Sequence, residues 1–178
     1  MKKIFTGILM LLLAANSVWA QSPLDRFFQK YENDPAFTVI TISPKMFNMF
    51  SKVDLDDKDA ESILNVAKKL TGLHILANEN APNALELFKE AGSSLSRNYD
   101  DLMTVRSHGN DLRFLVKDDP NGNIRELIML IGGSNKFFAL SLTGNINLEE
   151  ISQISKDMNI QGFDQLDNLK NNNKTSKK

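Results

Sequence analysis

The residues of this chain whose types and spacing bear on chemistry are two histidines, an acid run, an Asp/Asn turn and two glycine-containing stretches. His74 lies between Leu73 and Ile75 in a strand-like run, and His108 opens the turn His108-Gly109-Asn110. Neither has an obvious serine or acid partner for a nucleophile–base pair, and the G-x-S-x-G elbow of serine hydrolases is absent. The acids Asp54, Asp56, Asp57, Asp59 and Glu61 resemble a calcium loop only in density. An EF-hand needs Gly at its sixth position and Glu at its twelfth, and counting from Asp54 these are Asp59 and Asn65. Acids at a helix start, where they meet the positive end of the dipole, explain the run better. Asp118-Asp119-Pro120-Asn121-Gly122-Asn123 has oxygens for a cation, yet every residue also suits a hairpin turn. Gly132-Gly133 and Thr143-Gly144-Asn145 lack the spacing of a phosphate loop and read as strand ends. The expectation is therefore no catalytic, cofactor-binding or metal-binding residue, and no cofactor.

Composition narrows the chemistry further. The chain has no cysteine, which excludes disulfides, thiolate catalysis and cysteine-based metal sites. Its 21 basic and 22 acidic residues give a net charge of −1, without the basic excess of a nucleic-acid binder. With 42% hydrophobic and 24% charged residues it fits one globular domain with a real core.

The first twenty residues read as a signal peptide. Lys2 and Lys3 precede an apolar run from Ile4 to Ala15, shorter than the roughly 20 residues of a membrane span. Val18 and Ala20 suit a cut between Ala20 and Gln21, which removes Trp19, the only tryptophan. No second run of membrane length follows, so the mature chain is expected to be exported and soluble, periplasmic or secreted.

The mature chain reads as one α+β domain over residues 21–166, with a disordered polar tail over 167–178. A helix over 22–31 presents Leu24, Phe27, Phe28 and Tyr31 on one face. Phe37 to Ile42 reads as a strand, and Ser43-Pro44 opens a helix carrying Met46, Phe47, Met49 and Phe50. That cluster is either core or an adaptable binding surface, with core the commoner use of such spacing. A third helix spans Asp56 to Leu70, stopped by Gly72, and Leu73 to Ala77 is a short strand. Asn83 and Glu86 form a capping box for a helix with Ala84, Phe88, Ala91 and Leu95 on its stripe. Four strand-like runs follow (101–106, 112–117, 124–131, 137–142), joined by short turns that favour an antiparallel meander. Asn147 caps a last helix burying Leu148, Ile151, Ile154 and Met158. The fold expected is a mixed sheet with helices on one face, and strand order is left open.

Pairing the meander with Ile131 opposite Lys136 sets Met129 against Phe138 and Leu127 against Leu140. Leu112, Phe114 and Val116 join that face, which is the one expected beneath helices. The other face gathers Leu115, Ile128, Leu130 and Phe137 within a rim of Arg113, Lys117 and Glu126. This half-apolar patch is the candidate interaction surface, for a protein partner or a homodimer. The competing expectation is that the N-terminal helix, with Phe27, Phe28 and Tyr31, folds back over it.

Asp25-Arg26-Phe27-Phe28, Phe37 through Phe47, Leu102 to Val105, Phe114 to Lys117, Ile131-Gly132-Gly133 and Ser141 to Ile146 together resemble a bacterial family labelled domain of unknown function 4252. The resemblance runs over about residues 22–163. It implies an exported protein of a Gram-negative-type cell, and brings no reaction, ligand or site residue with it. Many members carry a lipoprotein cysteine after the signal peptide, where this chain has Gln21. The function expected is a non-catalytic binding or interaction module of the envelope, of which a regulatory partner is one version. The alternative is an envelope hydrolase using carboxylates.

Overall fold

Alternation of apolar and polar residues builds six strands, and Pro or Asn stands at the start of four of the helices around them. The computed structural model describes residues 23–50, 52 and 58–157. The signal segment, the Ala20–Gln21 junction, Asp54, Asp56 and Asp57 of the acid run, and the 167–178 tail lie outside the described residues.

In chain order the elements are α1 (Pro23–Tyr31), β1 (Thr38–Ile42), α2 (Pro44–Phe50), α3 (Lys58–Ala67) and β2 (Leu70–Asn78). Then come α4 (Ala84–Leu95), β3 (Asp100–Ser107), β4 (Asn110–Asp118), β5 (Ile124–Gly133), β6 (Lys136–Ile146) and α5 (Leu148–Asp157). The strands form one sheet in the order β1-β2-β6-β5-β4-β3. All five pairings are antiparallel, so the sheet is not mixed. The α+β class, the single domain and the C-terminal meander are as expected.

Turn chemistry sets the meander. His108 and Gly109 both have positive φ (50° and 78°), as do Ser134 and Asn135 (49° and 62°), the geometry of two-residue hairpin turns that match strand twist. The β5–β6 turn therefore uses two residues, not four, and Gly132 and Gly133 belong to β5. Ile131 pairs with Phe138, Met129 with Leu140 and Leu127 with Leu142. That is two residues from the register expected, and a shift of two keeps every side chain on its assigned face. The β4–β5 turn closes through Asp119, whose Oδ1 accepts the Asn121 and Asn123 amides at 2.9 and 3.0 Å. These bonds, Asn123 first, hold its carboxyl down to about 2.

Helices cover both faces of the sheet, which corrects the one-face expectation. On one face α1 and α4 bury Leu24, Phe27, Phe28, Ala84, Leu87, Phe88, Ala91 and Leu95 against Leu76, Leu115, Ile128, Leu130, Phe137 and Ala139. On the other, Val66 of α3 and Ile151 of α5 meet Phe114, Val116, Leu127, Met129, Leu140 and Leu142. A strand buried on both faces explains why β5 reads Leu-Ile-Met-Leu without polar interruption.

Two local expectations change. Gly72 lies inside β2, not beyond a helix, and a Cβ there would meet Thr143 Oγ1 at 2.7 Å. Asn83 precedes α4 but its side chain makes no capping bond; its carbonyl accepts the Glu86 and Leu87 amides at 3.0 Å. Asn147 does cap α5, its Oδ1 accepting the Glu149 amide at 2.9 Å.

Candidate functional site

The patch of Leu115, Ile128, Leu130 and Phe137 is not a surface. Leu115, Ile128 and Leu130 are 0% exposed and Phe137 1%, because α1 and α4 lie across them. Phe27 of α1 packs on Phe137 with ring centroids 5.8 Å apart. The Tyr31 hydroxyl donates to Glu90 of α4 at 2.8 Å and Lys30 pairs with the same carboxylate, tying the two covering helices together. The sequence placed these four side chains on the right face and underestimated what covers it: the N-terminal helix does fold back, joined by α4.

Where that apolar face ends, a polar cleft opens. Its volume is about 240 Å³, and its walls include Asp25 of α1, Gly72 and His74 of β2, Glu126 of β5, and Ser141 and Thr143 of β6. The β2–β6 register sets His74 directly opposite Ser141, so the histidine does have a serine and an acid close by in space. Glu126 accepts the Ser141 hydroxyl on Oε1 and the Tyr99 hydroxyl on Oε2, each at 2.8 Å. Sequence reading missed this trio. Its one signal was a carboxylate on a strand face that is otherwise Ile128 and Leu130, a place where a charge needs partners.

The chemistry of the cleft follows from those bonds. A serine nucleophile of the usual kind hydrogen-bonds to a His base, whereas the Ser141 hydroxyl donates its hydrogen bond to Glu126. The cleft is also smaller than the roughly 300–1,000 Å³ of typical small-molecule sites. The arrangement anchors the edge of the core instead. Replacing Glu126 with Leu should therefore cost about 1–3 kcal/mol, since it removes the acceptor of the Ser141 and Tyr99 hydroxyls. Glu126→Gln should recover part of that loss in a urea melt; equal melts for all three proteins would show the trio is not structural. A second, more open depression of about 420 Å³ lies between the β4–β5 turn and the start of α5, lined by Lys69, Asn123, Asn145 and Asn147. Lys69 there is already paired with Glu150 at 2.7 Å. Among the described residues no His, Cys, Asp and Glu cluster could hold a metal ion. No helix among them is long and apolar enough to cross a membrane.

Exposed apolar surface gathers elsewhere, at the β1 edge. Among the described residues seven large hydrophobic side chains are exposed, and five of them are Val39, Ile40, Met46, Met49 and Phe50 of β1 and α2. The Met/Phe cluster thus divides: Phe47 is core, while Met49 stands 60% exposed. The reason is position. Among the described residues α2 packs chiefly on β2 and α3, at the rim of the sheet, so one turn of it reaches the interior. β1 is an outer strand, Thr-Val-Ile-Thr-Ile, with no charge along its length. The opposite outer strand, β3, carries Asp100, Asp101 and Arg106, the kind of charges that discourage strand addition. Asp101 is held by Arg113, which keeps its carboxyl below the usual range. Among the described residues, one edge is guarded and the other is open.

Comparison with known proteins agrees with the resemblance read from the residues. No curated protein matches the chain. Residues 31–154 match the family described as Domain of unknown function (DUF4252), a span from the end of α1 into α5 that includes the whole sheet. The chain belongs to that family.

Proposed function

We propose that this protein is a non-catalytic interaction module of the bacterial cell envelope, and that its docking surface is the β1 edge with α2. The observation that carries this reading is the concentration of exposed apolar side chains on an uncharged outer strand and the helix that follows it. An outer strand offers unpaired backbone groups that accept an added strand, and side chains such as Met49 and Phe50 supply adaptable apolar contact. Envelope location is supported by the signal segment, with Lys2 and Lys3 ahead of an apolar run and Ala20 before Gln21. A hydrolase reading has less support, since the cleft acid and serine are bonded to each other.

Capture from envelope extract tests the surface. Bait carrying Met49→Lys and Phe50→Lys should lose most of the protein captured by wild type, an untagged copy of the chain included. Leu85→Lys, which alters an exposed apolar residue on α4, should capture as wild type does. Equal capture by all three baits would place the interaction elsewhere.

A further inference from the structure

We infer that the occupant of the β1 edge is a second copy of this chain, with β1 pairing antiparallel to β1 about a two-fold axis beside Ile40. The inference rests on the interaction reading above and names its partner.

The strand is suited to pairing with itself. Centred on Ile40, the register sets Ile40 against Ile40 of the second copy, Val39 against Thr41, and Thr38 against Ile42. Every position is β-branched, the residue type that packs best on a pleated surface, and no like charges meet. Faces are conserved across such a seam. Within one copy Ile40 heads a row that crosses the sheet through Ile75, Leu140, Met129, Phe114 and Met103. The two-fold axis would join two such rows end to end through the paired Ile40 side chains.

Charge at the strand ends selects the direction. Asp34 lies before β1 and Lys45 just after it, both exposed. Antiparallel pairing brings the acidic end of each copy to the basic end of the other, twice by symmetry, whereas parallel pairing sets like against like. A five-residue seam falls short of the roughly 800 Å² per partner that stable complexes bury. The exposed Met46, Met49 and Phe50, directly after β1, supply further apolar area beside it. An isologous contact of this kind closes at two copies and leaves no open end for a filament.

The absence of cysteine makes the register directly testable. Facing residues in an antiparallel pair have Cβ atoms about 4.5–5.5 Å apart, close to disulfide reach. Under mild oxidation, Ile40→Cys in the otherwise unchanged protein should form a covalent dimer. Thr104→Cys, on the β3 edge, should stay monomeric. Sedimentation of the wild type should show a monomer–dimer equilibrium, and Ile40→Lys should weaken it at least roughly tenfold with an unchanged urea midpoint. Wild type that is monomeric at every concentration, a dimer that survives Ile40→Lys, or equal cross-linking at 40 and 104 would each overturn the inference. The two readings fail separately. Monomeric wild type that still captures an envelope protein in a Met49- and Phe50-dependent way overturns self-pairing alone, while capture indifferent to those residues overturns both.

Discussion

Leu130→Glu should abolish cooperative folding. Leu130 is fully buried in the middle strands of the sheet, paired with Arg113 on β4 and Ala139 on β6, beneath α1 and α4. The facing Arg113 is already bonded to Asp101, and the other neighbours, Leu115, Ile128, Phe137 and the helix residues above them, are apolar. Leaving a charge or a protonated acid in that setting costs more than about 4 kcal/mol, against a total stability of about 5–15 kcal/mol for a domain. Leu130→Ala, which only leaves a cavity, should cost about 2–5 kcal/mol and still fold. Urea melts followed by circular dichroism separate the three proteins. A Leu130→Glu melt within about 1 kcal/mol of wild type would mean that α1 and α4 do not hold this face closed. The contrast with Ile40→Lys is the point: one leucine and one isoleucine, both in strands of a single sheet, with opposite consequences because one lies between layers and the other at an open edge.

What the sequence made legible was local. Period-two alternation assigned Met129, Leu127 and Phe114 to one face and Leu130, Ile128 and Leu115 to the other, and both assignments hold. Cap and turn residues located nearly every helix start, since Pro44 and Asn147 act through neighbours a few positions away. Long-range pairing was not legible. Nothing near Leu73 indicates that it meets Leu142, or that His74 meets Ser141, because that register is fixed by the whole sheet. The covering of the second face was half legible: four large apolar side chains signalled a need for cover, and the helix stripe of Ala84, Phe88 and Ala91 was the unassigned cover. The exposed apolar surface at the β1 edge was hidden for a related reason. Met46, Phe47, Met49 and Phe50 share a short helix, and only its place at the sheet rim decides that Phe47 is core and its neighbours are not. The family match adds the fold region to this and no chemistry.

Gly132→Ala should destabilise the protein although it adds a single methyl group. α4 lies close on β5 at this residue, and a Cβ on Gly132 would collide with the Phe88 Cβ and stand 2.9 Å from the Ala84 carbonyl oxygen. Neither neighbour can yield by turning a side chain. One is the first carbon of a packed phenylalanine and the other is helix backbone, so the whole helix must lift from the sheet. Overpacking of that kind costs about 1–3 kcal/mol, and lifting α4 also loosens Leu87, Phe88 and Ala91 from Leu130 and Phe137. Gly92→Ala supplies the control in the same helix. Its added Cβ would also meet an atom at 2.9 Å, but that atom is Nη1 of Arg113, the far end of a long side chain. The guanidinium can swing aside, retaining its bonds to Asp101, and alanine is favoured over glycine inside a helix by up to about 1 kcal/mol. Gly92→Ala should therefore melt at or above the wild-type urea midpoint and Gly132→Ala well below it. Two glycines that both lack room for a Cβ should give opposite signs, because stability depends on whether the neighbour is free to move; a Gly132→Ala midpoint equal to that of Gly92→Ala would refute the close docking of α4 on β5.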